Sequence, residues 1–454
     1  MKDSFALSGV SAIDLTKSPS EGINTGVGFF DHMLDQLNSH AQIGISVTAK
    51  GTDDGNGASD DTLLLSNRNR YANPPEQQAE LMSAVGDALG TEIGKLVDAT
   101  KKTHASGNGG GGSQSRFSRF CCPLDEALVE CTLTADAGDE GRKLGDFTLA
   151  PYGIYPSPGG RTRIGKMAPA YLDNFFAALA KSSGLIIDLR KIRGDNGHHV
   201  VESAFKAFSR ALRNLLDGTT TTTTSCPDFE GLWGVQSDSY KQGLELNRTA
   251  SISRKTKETS IDVTLQLDWM HSGVSVSTGL STLDAIFTKL AQEAKISLLV
   301  KCSGDTWVDD HHTTEDVGIA IGQCLNKALG TKAGLNRMWC ARASSSDATV
   351  EVTMDLSNRP CLTHNLALAS NAAGEEYVGG DGCDLSVEML EHALDSLVMN
   401  GQMTVHIVQI KEGAKVLDTA LATAAAFGQA LKLCLAVDPR RAGKTASSKG
   451  TLSV

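Results

Sequence analysis

The alternation of apolar and polar positions along the chain predicts both amphipathic helices and half-buried strands. Residues 204–216 and 386–398 carry apolar side chains at helical spacing and predict amphipathic helices. The stretches Ile43–Lys50 and 296–301 predict strands. Each half of the chain reads as strand, strand, helix, strand, strand, helix. This order predicts an α+β sandwich with helices packed on one face of a β-sheet.

A long internal repeat divides the chain into two copies. Residues 25–40 align with 278–293, and the tetrapeptide ALGT occurs at both 88–91 and 328–331. Between the copies lies a run of threonines over 219–224, which cannot bury a core. The sequence therefore predicts a first domain over 1–217, a Thr-rich linker over 218–245 and a second domain over 246–454.

Length and charge narrow the class of protein. The chain of 454 residues is long enough for two or three domains, and its formal charge of −11 argues against unspecific binding to nucleic acid or to an anionic membrane surface. No apolar run reaches the length of a membrane span. Ten scattered cysteines favour reduced thiols, and the first residues lack the pattern of a signal or transit peptide. If the native chain starts here, we expect a cytoplasmic protein.

The run DDHHTTED at 309–316 is the strongest chemical signal in the chain. His311 and Glu315 are four residues apart, so a helix that begins here places them on one face. Two imidazoles and a carboxylate on one turn form half of a site for a first-row metal such as zinc, manganese or iron. The alternative is a solvated, polar helix start.

Five motifs together resemble the imidazoleglycerol-phosphate dehydratase family, a manganese enzyme family of histidine biosynthesis. They lie at 25–40, 194–207, 309–316, 388–392 and 447–452. Each copy has the size of one family subunit. The resemblance therefore implies two tandem dehydratase-like domains, each built of two half-modules in which a β-sheet carries helices on one face.

The metal-ligand motifs of this family are divided between the copies. The first copy retains His32, His40, His198, His199 and Glu202, and the second copy retains His311, His312, Glu315, Glu391 and His392. At the positions of His32, His40 and residues 198–202, the second copy is expected to carry Ala285, Glu293 and residues 415–419. At the positions of the 309–316 motif and of Glu391-His392, the first copy is expected to carry residues 71–76 and, approximately, Asn174-Phe175. Either the two half-sets form one composite site, or both copies have decayed and bind no metal.

The resemblance also implies a cofactor, a substrate and residue roles. It implies two Mn²⁺ ions, or another divalent first-row metal, at each composite site, and a hydro-lyase reaction that removes water from imidazole glycerol phosphate. The implied catalytic residues are Glu258, Glu315 and His311. The implied phosphate ligands are Arg337, Arg359, Ser447, Ser448 and Lys449, while the first copy offers only Arg119 and Arg142. The family further implies a large symmetric oligomer.

Some alternatives stay open on the sequence alone. The chain could be a catalytically inactive member of the family that serves as a scaffold or binds a phosphate or an RNA 5′ end. The roles of Asp125 and Glu126 are open. So is the question whether a composite site would form within one chain or between chains.

Overall fold

The computed structural model describes residues 6–14, 22–50, 75–105, 116–136, 144–218, 248–268, 273–371, 373–441, 443–445, 447 and 452. These residues form two compact units, unit 1 within 6–218 and unit 2 within 248–452. The predicted linker after Gly218 lies outside the described residues, as do Ser448 and Lys449. Among the described helices, none is long and apolar enough to cross a membrane.

Unit 1 contains seven strands, four α-helices and the short 3-10 helix Pro169–Tyr171 among its described residues. The strands are β1 Ala6–Asp14, β2 Ile23–Asn24, β3 Ile43–Lys50, β4 Arg116–Leu124, β5 Ala127–Ala135, β6 Gly145–Thr148 and β7 Ile186–Arg193. The helices are α1 Gly28–Ala41, α2 Pro75–Ala105, α3 Leu172–Ser183 and α4 Gly197–Leu216.

Unit 2 contains eight strands, four α-helices and the short 3-10 helix Pro439–Arg441 among its described residues. The strands are β8 Thr249–Lys255, β9 Thr259–Gln266, β10 Val274–Ser277, β11 Ser297–Gly304, β12 Met338–Ser345, β13 Ala348–Asp355, β14 Cys361–His364 and β15 Thr404–Lys411. The helices are α5 Ser281–Ala294, α6 His311–Leu329, α7 Val387–Gly401 and α8 Val416–Leu435.

The sheets share one topology. Three sheets have four strands, in the orders β4-β5-β7-β6, β8-β9-β11-β10 and β12-β13-β15-β14. In each of them the third strand of the module pairs parallel with the fourth, and the other pairs are antiparallel. The remaining sheet, β1-β3-β2, has three strands among the described residues and the same parallel edge.

Each four-stranded module runs strand, strand, strand, helix, strand, helix, which differs from the predicted order. The missed third strand has only four residues in each case, too few to show a period of two. The helices cover one face of the sheets. In unit 1, α4 packs on β4 and β5 and against α1, while α2 packs on β1 and against α3. The predicted α+β class is confirmed.

The duplication extends to single hydrogen bonds. In unit 1 the backbone N–H and the hydroxyl of Thr25 donate to Asp31 Oδ1 over 2.7 and 2.6 Å. In unit 2 Thr278 donates to Asp284 in the same way, over 2.8 and 2.6 Å. Both contacts fix the first turn of a 14-residue helix. The predicted alignment of 25–40 with 278–293 is therefore confirmed.

Close helix packing shows that the other predicted repeat is wrong. A Cβ atom at Gly90 would lie 2.6 Å from the Leu179 carbonyl oxygen, and one at Gly322 would lie 2.7 Å from that of Leu397. Gly322, rather than Gly330, is thus the counterpart of Gly90. The two ALGT tetrapeptides lie at different points because α2 has 31 residues and α6 only 19.

Candidate functional site

Three predicted ligands meet at one point of unit 1. His32 lies on α1, and His198 and Glu202 lie four residues apart on the first turns of α4. Glu202 Oε2 is 3.1 Å from His198 Nε2 and 3.8 Å from His32 Nε2. One donor atom from each residue lies within 4.8 Å of the others. We call these three residues triad 1.

Local contacts hold triad 1 in place. The Asn196 side chain caps α4 by accepting the His198 backbone N–H over 2.9 Å, which fixes where the helix begins. The ring of Phe29 packs edge-on against the His198 ring, with 4.9 Å between centroids. Lys206 Nζ lies 2.7 Å from Glu202 Oε1, one turn further along. The other carboxylate oxygen therefore faces the imidazoles.

The charge of Glu202 follows from these neighbours. Burial raises the pKa of this carboxyl, but the Lys206 ammonium and hydrogen bonds from the triad histidines lower it by more. The pKa of Glu202 is therefore well below its usual range. An ionised carboxylate is the form that binds a metal cation.

A second cluster of predicted ligands lies in unit 2. His311 and Glu315 lie on the first turns of α6, and His392 lies on α7. Glu315 contacts both imidazoles, with Oε2 3.8 Å from His311 Nε2 and Oε1 3.6 Å from His392 Nε2. The two rings have centroids 5.0 Å apart. We call His311, Glu315 and His392 triad 2.

The starts of two helices are tied together beside triad 2. Asp310, the residue before α6, accepts the backbone N–H of Ser386 over 2.6 Å and its hydroxyl over 2.8 Å. Ser386 directly precedes α7. This contact fixes the first turn of α6 against that of α7 and brings His392 to His311.

The second histidine of each adjacent pair is held by a carboxylate. His199 Nδ1 lies 2.7 Å from Glu126 Oε2, and His312 Nδ1 lies 3.1 Å from Asp305 Oδ2. The hydrogen bond that His312 donates to Asp305 raises the pKa of His312, and the negative charge of the nearby Glu258 adds to the effect. Burial raises the pKa of Glu126, but hydrogen bonds from His199 and from backbone N–H groups bring it down to about 2.

Each triad brings three possible metal-ligand atoms close together. A divalent first-row ion lies about 2.0–2.2 Å from nitrogen and oxygen ligands, so two ligands of one ion are separated by up to roughly 4.4 Å. The donor atoms within each triad are mutually within 4.8 Å. Two imidazoles with one carboxylate suit manganese, iron or zinc. Each triad supplies three ligands, fewer than the six of the octahedral sites that are typical of manganese.

Two of the predicted ligands lie apart from the triads. His40 is fully buried in the last turn of α1, two helical turns from His32. Glu391 is exposed, and its Oε1 lies 3.1 Å from His364 Nε2. The ligand groups found among the described residues include neither of them. Their roles as metal ligands stay predictions.

The structure also revises the residues that replace the lost ligands in unit 1. When Gly90 is aligned with Gly322, Ala79 is the counterpart of His311 in the repeat, and Ser83 is the counterpart of Glu315. Leu179 on α3 and Leu397 on α7 make the matching contacts with these glycines, so the two leucines are equivalent and Asn174 is the counterpart of His392. The expected replacements at 71–76 and at Asn174-Phe175 are therefore wrong, by several residues and by one residue respectively.

A similar shift applies to unit 2. Helices α4 and α8 both have 20 residues and are preceded by Asn196 and Lys415. The counterparts of His198, His199 and Glu202 are then Leu417, Asp418 and Leu421, two residues beyond the expected ones. Leucine cannot bind a metal, so the loss that the sequence predicted for this copy stands.

The arginines expected to bind phosphate occupy different environments. Arg337 is 4% exposed and donates two hydrogen bonds to the Asp355 carboxylate, from Nε to Oδ1 over 2.7 Å and from Nη2 to Oδ2 over 2.8 Å. Arg359 is half-buried. The adjacent Asn358 donates its amide to the Leu452 carbonyl over 2.8 Å, which places the C-terminal segment beside it. Ser447 of the same segment is also half-buried.

Sequence reasoning missed a lysine in this region. Lys332 is 2% exposed and donates to the Asn358 side chain. Burial lowers its pKa to about 8; Asp355 raises the pKa and Arg337 lowers it further. A lysine in a loop gives no periodic signal, and only the fold brings it close to Asp355.

The arginine of unit 1 that matches Arg337 is Arg116, not Arg119. In the paired hairpins β4-β5 and β12-β13, both residues lie 11 positions before the first residue of the second strand. The Arg116 side chain donates to Asp136, to the Thr100 hydroxyl and to the Val97 carbonyl over 2.8 to 3.0 Å. Arg119 instead pairs with Glu130 across the hairpin, and Arg142 lies outside the described residues.

Comparison with known proteins places the chain in a family. The family model "Imidazoleglycerol-phosphate dehydratase" matches residues 84–212 and 278–431, more than half of the chain. The enzyme so named from Microcystis aeruginosa is 39% identical over 205 residues, which cover 45% of this chain and 93% of the relative. That from Nitrobacter hamburgensis is 38% identical over 206 residues, 45% of this chain and 98% of the relative.

A solved structure also aligns with part of this chain. The crystal structure of imidazoleglycerol-phosphate dehydratase from Staphylococcus aureus aligns with 42% of this chain and 99% of its own, at 27% identity and a TM-score of 0.36.

The chain belongs to the imidazoleglycerol-phosphate dehydratase family. The two regions matched by the family model show that the family domain occurs twice in it.

Proposed function

We propose that this chain is an imidazoleglycerol-phosphate dehydratase whose metal site is a composite of the two units. Triad 1 with His199 would supply one part of the ligands, and triad 2 with His312 the other part. The observation that carries the proposal is that the two ligand sets complement each other. Each unit lacks what the other retains.

The pattern of losses supports function rather than decay. In unit 1 all three triad 2 positions are replaced together, by Ala79, Ser83 and Asn174. In unit 2 the positions of His198 and Glu202 are both leucine. Random decay would remove single ligands from both sets. Here the residues of each surviving triad also keep the hydrogen bonds and packing that orient them.

The proposed site would hold two divalent ions, which we take to be Mn²⁺. The bound metals would stabilise the negative charge that develops on the substrate imidazole when a carbon-bound proton is removed. Histidine and carboxylate ligands are the donor set that manganese and iron accept. Only one full set of ligands exists per chain, so we propose one composite site per chain.

Two glutamates are candidates for moving that proton. Glu258 lies in the turn between β8 and β9, with Oε1 3.8 Å from His312 Nε2, and its side chain is 49% exposed. Its backbone carbonyl accepts the Asp305 N–H over 3.1 Å, so the turn is tied to the residue that holds His312. Glu315 lies inside triad 2. We favour Glu258 as the proton carrier because Glu315 would be engaged as a ligand.

The substrate phosphate would bind in unit 2. Arg337 and Arg359, with Ser447 of the adjoining C-terminal segment, offer charge-assisted and hydroxyl hydrogen bonds to phosphate oxygens. Ser448 and Lys449 are proposed on the sequence alone. In unit 1 the arginine that matches Arg337 is Arg116, which donates to three partners within its own unit.

Purified chain that has been loaded with Mn²⁺ should dehydrate imidazole glycerol phosphate. Removal of the metal with a chelator should abolish the activity, and added Mn²⁺ should restore it. Because a metal ion binds only the neutral form of an imidazole, activity and bound metal should fall together as the pH is lowered. A fully metal-loaded chain that turns over no substrate would instead support the inactive scaffold or phosphate-binding alternative.

A further inference from the structure

We infer that Glu126 is a positioning residue that decides which nitrogen of His199 faces the metal. The inference rests on the proposed metal site and deepens it. It concerns one of the two acidic residues at the β4-β5 turn whose role the sequence left open. The family motif around this turn contains leucines that pack in the core, but packing explains no carboxylate.

The two oxygens of Glu126 have separate partners. Oε2 lies 2.7 Å from His199 Nδ1. Oε1 accepts the backbone N–H of Asn196 over 2.8 Å and that of Asp195 over 3.3 Å. One side chain therefore links the imidazole to the turn that begins α4. His199 is 23% exposed, so its ring is partly shielded from water that could replace this contact.

This contact selects the tautomer of His199. A carboxylate only accepts hydrogen bonds, so Nδ1 carries the proton and Nε2 carries the lone pair that can bind a metal. Asp125 Oδ2 lies 3.7 Å from Nε2, which is too long for a hydrogen bond that would place the proton there. Such outer carboxylates are a general means of orienting a histidine ligand.

Unit 2 shows what the same turn needs when no histidine is present. Asp347 occupies the position of Glu126, and its Oδ1 accepts the backbone N–H of Ala414 over 3.1 Å. The counterpart of His199 is Asp418. A shorter acidic residue thus holds the turn before α8 without contacting an imidazole. Tying down the turn therefore does not require the extra length of Glu126.

The arrangement recurs at the other adjacent histidine pair. Asp305 Oδ2 lies 3.1 Å from Nδ1 of His312, again the second histidine of its pair. Asp305 precedes its helix, whereas Glu126 lies in a strand hairpin, so the two contacts do not arise from the internal repeat. Both leave Nε2 as the nitrogen for a ligand.

The substitution Glu126→Gln tests the inference, because it replaces the carboxylate with an amide of nearly the same size and shape. The amide oxygen can still accept the backbone N–H of Asn196. The amide NH₂ then faces Nδ1 and requires it to be an acceptor, so the imidazole proton moves to Nε2. The amide cannot instead turn its NH₂ toward the Asn196 backbone N–H, because that group cannot accept a hydrogen bond. We therefore expect the tautomer of His199 to change. Loss of such an outer partner lowers metal affinity by about 10- to 100-fold.

The measurement is Mn²⁺ affinity by competition with a chelating dye, together with thermal unfolding of the metal-free chain. Glu126→Gln should weaken Mn²⁺ binding by that factor while the unfolding temperature stays close to wild type. Asp347→Asn is the matched control at the other turn, and it should leave Mn²⁺ affinity unchanged. Wild-type Mn²⁺ affinity in Glu126→Gln would overturn the inference, as would a loss matched by Asp347→Asn.

A second measurement does not depend on metal binding. Solid-state ¹⁵N spectra of the histidine-labelled, metal-free chain, assigned by comparison with His199→Asn, report the tautomer of His199. We expect the proton on Nδ1 in the wild type and on Nε2 in Glu126→Gln. A proton on Nε2 in the wild type would overturn the inference. If the wild type shows the Nδ1 proton but binds no Mn²⁺, the proposed function fails, while the control of the His199 tautomer by Glu126 stands.

Discussion

The substitutions His32→Ala and His311→Ala should each reduce dehydratase activity to background, although the two residues belong to different units. Each removes one imidazole from one triad, and a composite site cannot work with either half incomplete. Residues that act as one catalytic unit are strongly non-additive, and losses of roughly three orders of magnitude or more are typical. The double variant should therefore be little worse than either single variant in kcat/KM.

Matched controls exist within the chain. Asn174→Ala and Ser83→Ala change the unit 1 counterparts of His392 and Glu315, which no longer carry a metal-binding pair. Both should keep wild-type activity. If either matched the loss seen in His311→Ala, unit 1 would be carrying a site of its own, and the division of ligands between the units would be wrong.

Mixing the two inactive variants separates two ways of assembling the site. If sites form between chains, mixed oligomers contain some pockets that combine His311 from a His32→Ala chain with His32 from a His311→Ala chain. Activity should then return in part after the variants are dissociated and reassembled together. If sites form within one chain, mixing restores nothing. Either single variant retaining wild-type activity would contradict the composite site for its unit.

The substitution Arg337→Lys should raise KM for the substrate and lower kcat/KM by about 10- to 100-fold. A charge-assisted hydrogen bond is worth about 1.5–3 kcal/mol, and each 1.4 kcal/mol is a factor of ten. Lysine keeps a positive charge beside Asp355, so no buried carboxylate is left without a counter-charge. It loses the planar fork that could hold Asp355 and a phosphate together.

Arg116→Lys is the control for the effect on folding. It removes a guanidinium at the equivalent hairpin position, where Arg116 donates to Asp136, Thr100 and Val97. We expect a lower unfolding temperature with kcat/KM within a factor of about two of wild type, because uniform binding of substrate is untouched. An unchanged KM in Arg337→Lys would show that Arg337 serves only its ion pair with Asp355.

Two members of each triad have a local signal in the sequence. His198 with Glu202 and His311 with Glu315 are each four residues apart, and a helix brings such pairs together wherever it lies. The repeat of 25–40 at 278–293 was equally clear, because both segments begin a helix with the same threonine and aspartate contact. The third member of each triad, His32 or His392, lies on another helix, and only the resemblance to the family predicted it.

The remaining contacts depend on the tertiary fold. Asp305 meets His312, and Glu126 meets His199, across turns whose geometry has no sequence period. The counterparts of the lost ligands were misplaced because no motif residue survives at Ala79 or Ser83 to guide an alignment. Only the glycines that let two helices touch reveal the true offset. The burial of Arg337 against Asp355 was likewise invisible in the sequence.

The most direct test of the composite site is the number of manganese ions bound by the wild-type chain. After growth with manganese and removal of loosely bound metal, elemental analysis of the purified protein should give two Mn²⁺ per 454-residue chain, since each chain carries one copy of triad 1 and one of triad 2. Four ions per chain would contradict the account, because both units would then hold complete sites. No bound metal would contradict it as well.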